Sequence, residues 1–141
     1  MFYQVKVKFQ KQTDEGLLKT VTEAYLVDAV SFTEAEARIT GVMSAEIEGE
    51  FKVKAAAETN YEQVLMLDDY ASLYKCKVTF VTIDDDTTKE KKVNSFMLVA
   101  ASDIKNAYER VTENMSTLLV PYNIEAINST PIVNVFPFRG E

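Results

Sequence analysis

Histidine is absent from the 141-residue chain, and with it go the commonest general base and the commonest zinc ligand. Catalysis by a side-chain nucleophile needs a base within hydrogen-bond reach, so a histidine-assisted serine or cysteine mechanism is excluded. Cys76 is the only cysteine, so no internal disulfide can form and a reducing cytoplasm is the expected compartment. It falls mid-strand on an apolar parity, where a thiol is inert. Glycine is confined to Gly16, Gly41, Gly49 and Gly140, and none of these builds a phosphate-cradling loop or a dinucleotide fingerprint. No apolar run approaches the ~20 residues of a bilayer-crossing helix. The opening Met1-Phe2-Tyr3-Gln4-Val5-Lys6 alternates like a strand and lacks the basic-then-apolar order of a signal peptide.

What is present suits a soluble globular fold: 47% hydrophobic and 26% charged residues in a chain of 15.9 kDa. That length fits one ordinary domain or two very small ones. The net charge of −7 argues against indiscriminate binding to nucleic acid or anionic membrane, yet one basic face can coexist with acidic loops.

The chain repeats itself. Tyr3-Gln-Val-Lys-Val-Lys-Phe9 is echoed by Tyr74-Lys-Cys-Lys-Val-Thr-Phe80, an offset of 74 − 3 = 71. Each is followed by an acidic turn, Thr13-Asp14-Glu15-Gly16 and then Asp84-Asp85-Asp86-Thr87. Second strands follow, in which Val21, Leu26 and Val27 match Val93, Leu98 and Val99 at an offset of 72, so the second turn carries one extra residue. In the helices that come next, Phe32, Ala35, Arg38, Ile39, Thr40 and Met43 fall against Ile104, Ala107, Arg110, Val111, Thr112 and Met115. Their apolar members form the one-sided stripe of a helix packed on a sheet. Ser31 with Glu34 makes a capping box, and Ser102 or Asp103 caps the second helix. Third strands match as Phe51–Ala55 against Tyr122–Ala126, and short fourth strands are expected at Glu62–Leu67 and Ile132–Phe136. The expected fold is α+β: two ββαββ units of about residues 1–69 and 73–141, with antiparallel sheets each covered by one helix. A unit this small is marginal alone, and Asp68–Ser72 is a short linker, so one compact pseudo-symmetric domain is expected.

Alternation sorts the strand residues. Tyr3, Val5, Val7 and Phe9 oppose Gln4, Lys6 and Lys8; Tyr74, Cys76, Val78 and Phe80 oppose Lys75, Lys77 and Thr79. Phe51, Val53 and Ala55 oppose Lys52 and Lys54. With the apolar set on the helix, six lysines are left on the other face. Such a face can follow a phosphate backbone, or it can simply keep the sheet soluble and its edges unpaired. Phe2 and Phe96 break the parity of their apolar neighbours and are the candidates for base stacking. Phe136 and Phe138, near the C-terminal end, are expected to dock on the core. The aspartate groups Asp84–Asp86 and Asp68–Asp69 are the remaining route to a divalent ion, but neither has the spaced ligands of a calcium loop.

The run Glu23-Ala-Tyr-Leu-Val-Asp-Ala-Val-Ser-Phe-Thr-Glu-Ala-Glu-Ala-Arg-Ile39, with Gly49-Glu-Phe-Lys-Val53, resembles domain-of-unknown-function family 4494. That family occurs in Bacteroidetes genomes and their gut phages. The resemblance implies a phage or mobile-element setting inside a bacterial host cell, and it implies no activity and no functional residues.

Taken together, these features predict a non-enzymatic protein that binds single-stranded nucleic acid, with no cofactor, no metal and no membrane partner. Lys6, Lys8, Lys52, Lys54, Lys75 and Lys77 would contact phosphates, with Phe96 stacking a base. The rival reading is a protein-interaction module, an oligomer of itself or a partner of other phage proteins. A metal-dependent enzyme built on the aspartate groups is the third.

Overall fold

The structure, a computed structural model, describes residues 1–67 and 70–137. The strands are β1 (Phe2–Gln12), β2 (Leu18–Asp28), β3 (Phe51–Glu58), β4 (Tyr61–Leu65), β5 (Ser72–Ile83), β6 (Glu90–Ala101), β7 (Tyr122–Ser129) and β8 (Ile132–Phe136). Helix α1 (Phe32–Glu46) follows β2, and α2 (Ile104–Met115) follows β6. The order ββαββ therefore occurs twice, as the repeat requires. The hairpin turn of the second copy, between Ile83 and Glu90, is one residue longer than that between Gln12 and Leu18.

Two four-stranded sheets form, in the orders β3-β1-β2-β8 and β4-β6-β5-β7. Each is antiparallel except at one edge: β8 lies parallel to β2, and β4 lies parallel to β6. The last strand of each repeat thus joins the sheet of the other. The two compact units are accordingly Met1–Asn60 with Pro131–Glu141, and Tyr61–Thr130. These bounds differ from those of the repeats, because a repeat is a stretch of sequence whereas a unit is a set of contacts.

In the first unit α1 lays Ala35, Ile39 and Met43 on Tyr3, Val5, Val7, Tyr25 and Val27, all buried. In the second, Ala107, Val111 and Met115 of α2 meet Tyr74, Cys76, Val78, Met97 and Val99. The stripe's first members, Phe32 and Ile104, are exposed, although the Phe32 ring meets Tyr3 edge-on at 4.9 Å. Ser31 caps α1 by accepting the Glu34 N–H at 3.2 Å, and Asp103 caps α2 by accepting the Asn106 N–H at 2.7 Å. The return bond of the first capping box is missing: Glu34 Oε1 is buried without a hydrogen-bond partner.

Smaller devices are duplicated too. Thr59 donates both its N–H (3.0 Å) and its hydroxyl (2.7 Å) to the Phe2 carbonyl; Thr130 does the same to Leu73, at 3.2 and 2.7 Å. Arg38 donates to the Asp28 carbonyl, as Arg110 does to that of Ala100. These bonds tie the end of the third strand and the helix to their own unit.

Two expectations need correction. Ala55 is not on the core parity: β3 is bulged opposite Lys6 and Val7, so Ala55 lies beside Lys6 and Ala56 packs on the core instead. Nor is the face opposite the helix wholly given to lysine. The adjacent apolar residues Leu26 and Val27 must point to opposite sides, and Ala24, Leu26, Ile132 and Val135 are buried on the face away from α1.

Candidate functional site

The lysines singled out by the sequence divide between the two units. In the first unit Lys6, Lys8, Lys52 and Lys54 are all exposed. Lys6 stands beside Ala24 on one flank and Ala55 on the other, while Lys8 lies between Thr22 and Lys52. Lys54 is the extra residue of the β3 bulge. No carboxylate among the described residues lies within ion-pairing distance (4.0 Å) of any of the four. The result is a lysine strip along β1 and β3, beside the buried apolar residues of β2 and β8.

Lys8 and Lys52 are direct cross-strand neighbours of like charge, an arrangement that destabilises a sheet. A solubilising role would be served as well by staggered lysines. The opposed pair concentrates positive potential at one spot.

In the second unit the same positions are occupied differently. Lys75 and Lys77 are half-buried. The Lys75 ammonium sits 4.7 Å from the centre of the Phe96 ring and 5.4 Å from that of Tyr61, which are themselves neighbours on β6 and β4. Burial raises the Tyr61 phenol above its ordinary pKa. Phe96 is therefore half-buried beneath a lysine of its own unit. Phe2, the other stacking candidate, is half-buried at the start of β1.

The bulge recurs in β7, where Glu125 takes the place that Lys54 has in β3. Its carboxylate accepts from Lys92 Nζ at 2.9 Å and from the Thr79 hydroxyl at 3.2 Å. Those two bonds, chiefly the first, hold the Glu125 carboxyl below its usual pKa, with a smaller contribution from Lys77. Lys6, Lys8, Lys52 and Lys54 have no ion-pair partner among the described residues, whereas in the second unit Glu125 pairs with Lys92 and Lys75 lies over two aromatic rings.

At the start of β3, beyond the reach of the buried core, the first unit has an open groove of about 990 Å³. Lys8 and Lys52 line it from one face of the sheet. Gln10, Leu18 and Thr20 join them on that face, Glu48 and Glu50 border it from the loop after α1, and Phe9 and Phe51, likewise paired across the strands, adjoin it from the core side of the sheet. Gly49 permits that loop at φ +117°, a left-handed conformation that residues with a side chain rarely adopt. Parity alone assigned Phe9 and Phe51 to the core. They do pack against it, yet both remain partly exposed, because they stand at the end of the sheet. The signal that could have found them is the coincidence of two aromatics and two lysines at facing strand positions.

The other candidate chemistries find little support. Cys76 is buried, and desolvation pushes its thiol up to about 11. Asp84 shapes its turn by accepting the Asp86 N–H at 2.9 Å. Among the described residues no three acidic or thiol side chains converge as a metal site. Asp68 and Asp69 lie outside the described residues, as does Phe138. Phe136 packs on the core of the first unit, its ring centre 5.7 Å from that of Tyr25. No described helix is long and apolar enough to cross a membrane.

Fold and site together define a duplicated α+β protein of ββαββ halves that exchange their last strands. The chain belongs to the family "Domain of unknown function (DUF4494)", whose profile matches residues 1–138. The match covers both repeats, although the residues that carried the resemblance lie in the first. No curated protein and no solved structure matches the chain.

Proposed function

We propose that the protein is a non-enzymatic binding protein of a phage or mobile element, which engages single-stranded nucleic acid inside the host cell. The reading rests on the lysine strip of the first unit: four exposed lysines, unpaired among the described residues, on β1 and β3 of an acidic protein. A phosphate backbone laid along the strip would neutralise Lys6, Lys8, Lys52 and Lys54 and remove the repulsion between Lys8 and Lys52. Lys75, Lys77 and Phe96 contribute less, because Lys75 already covers Phe96 and Lys77 lies in the field of Glu125. Fluorescence anisotropy with a labelled single-stranded oligonucleotide tests the idea. Four phosphate contacts on a single strand predict that log K falls with log salt at a slope of about −3. Absence of binding at low salt, or binding indifferent to salt, would end it.

A second reading, self-association, is favoured by a separate observation in the second unit. Leu118, Leu119 and Val120 are consecutive and exposed, Leu119 fully so at 100%. They precede β7, an edge strand without proline whose one charged residue, Glu125, turns inward to Lys92. The edge is self-complementary. Two copies of β7 paired antiparallel with Ile124 opposite Ile127 also set Asn123 opposite Asn128, and no like charges meet. Light scattering distinguishes the readings: a dimer dissociated by Leu119→Asp and Ile124→Lys, without nucleic-acid affinity, would favour this one.

A further inference from the structure

We propose that the outer face of the β5–β6 hairpin end, the side turned away from α2, docks a second copy of the chain across a two-fold axis. This deepens the self-association reading and rests on it, and it assigns a contact separate from the β7 edge. Val81 and Ile83 continue the β5 parity that points away from the core, and their cross-strand partners on β6 are Lys92 and Glu90. Both aliphatic side chains are exposed, Ile83 at 67%. Val81 also donates its N–H to the Pro121 carbonyl at 3.5 Å, which brings the exposed Leu119 and Val120 to the same end of the sheet. The first unit shows that the fold does not need this surface. Its equivalent positions are Gln10 and Gln12 on β1, paired with Thr20 and Leu18 on β2, and its loop carries Glu48 and Glu50. The same strand ends are built there with mostly polar side chains. An aliphatic patch left exposed on one copy alone marks a contact surface.

The charges decide the occupant. Val81 and Ile83 occupy two levels of one strand, and Lys92 and Glu90 occupy the same two levels of the next. Two such faces laid together, with a two-fold axis running between them and across the strands, exchange the levels. Val81 then meets the partner's Ile83, and Glu90 meets the partner's Lys92. Opposite charges face each other twice and no like charges meet. Glu90 has no ion-pair partner among the described residues. An ammonium has three donors, so Lys92 serves the second copy while it keeps its bond to Glu125. An anionic lipid surface, another cover for an aliphatic patch, is repelled by Asp84, Asp85 and Asp86 in the adjoining turn.

Sedimentation velocity on the full chain, over a concentration series, tests the contact. Wild type is expected to dimerise. Ile83→Asp is expected to weaken the dimer by roughly tenfold or more and to melt like wild type, because the side chain it replaces is exposed. Ile124→Lys, at the β7 edge, is expected to leave the dimer intact. Glu90→Lys and Lys92→Glu each set like charges face to face, so each is expected to be monomeric alone. Mixed in equal amounts they are expected to associate again, because the basic face of one meets the acidic face of the other. A dimer that survives Ile83→Asp overturns the proposal; if Ile124→Lys abolishes that dimer, the β7 edge stands as the contact instead. A charge variant that dimerises alone, or two that stay apart when mixed, overturns it as well. Wild type that is monomeric at every concentration brings down both this contact and the self-association reading.

Discussion

Lys54 and Glu125 are the extra residues of the same β-bulge in the two repeats, and they carry opposite charge. Glu125 reaches Lys92 and Thr79 across its sheet, whereas Lys54 is exposed without an ion-pair partner among the described residues. The duplication has thus kept a backbone irregularity and reversed its electrostatics. At this position the second unit gains an ion pair, and the first is left with an exposed lysine.

The Glu125 contacts predict a dependence of stability on pH. Its carboxyl is depressed in the folded state, so the stabilisation is present above the ordinary value of 4.5 and is lost as pH falls through the lower folded value. Glu125→Gln should therefore lower the melting temperature at pH 7. Below pH 4.5 the difference from wild type should shrink toward zero. Thermal melts of both proteins at pH 7, 4 and 3 check this, and an offset that stays constant with pH would contradict it.

Lys8 against Lys52 should show a trade between stability and binding. Lys8→Glu turns a repulsive cross-strand neighbour into an attractive one, worth up to about 1 kcal/mol in favour of the fold. The same change should remove most of the affinity for single strands, since one phosphate contact is lost and a negative charge is added. Denaturant melts and anisotropy on one preparation measure both. A variant that is stabilised and still binds would show that the pair has no part in recognition.

Cys76 is enclosed by the second core, and burial alone raises its pKa from 9.0 to about 11. A group raised in this way favours the fold at lower pH, so its contribution is lost as pH climbs from about 9 toward 11. Near neutral pH the thiol is protonated and inaccessible. A thiol-specific reagent should leave it unmodified in the native protein and label it fully in denaturant. Cys76→Ser puts a hydroxyl in an apolar site and should cost about 1–3 kcal/mol. Rapid native-state labelling would show that the second core opens readily.

The parts of this fold legible in the sequence are those governed by local periodicity. Hairpins, helix stripes and caps each depend on residues a few positions apart, and Ala35, Ile39 and Met43 packed as their spacing required. The β3 bulge was hidden because Ala55 and Ala56 are the same residue, so nothing marks where parity flips. The exchanged strands were hidden for another reason. At five residues each, β4 and β8 announce a strand but not its sheet, and the choice is made by contacts between residues far apart in the chain. The lysines were legible individually. Their pairing with Phe9 and Phe51 at one groove depends on where the core ends, which alternation does not record.

That exchange leads to the sharpest structural prediction. β8 comes at the end of the second repeat, yet Ile132 and Val135 are buried beside Ala24 and Leu26 of β2, and the Arg38 guanidinium donates to the Pro137 carbonyl at 2.8 Å. Cutting a buried isoleucine back to alanine removes apolar contacts that the surrounding structure only partly refills, at about 2–5 kcal/mol. Ile132→Ala should therefore damage the first unit, although it lies in the second repeat. Amide hydrogen exchange locates the loss. Protection should fall along β2 from Ala24 to Val27, with β6 from Met97 to Val99 much less affected. Had each repeat folded on its own strands the order would invert, because Ile132 would then belong with β6. Greater loss in β6 than in β2 would refute the exchange.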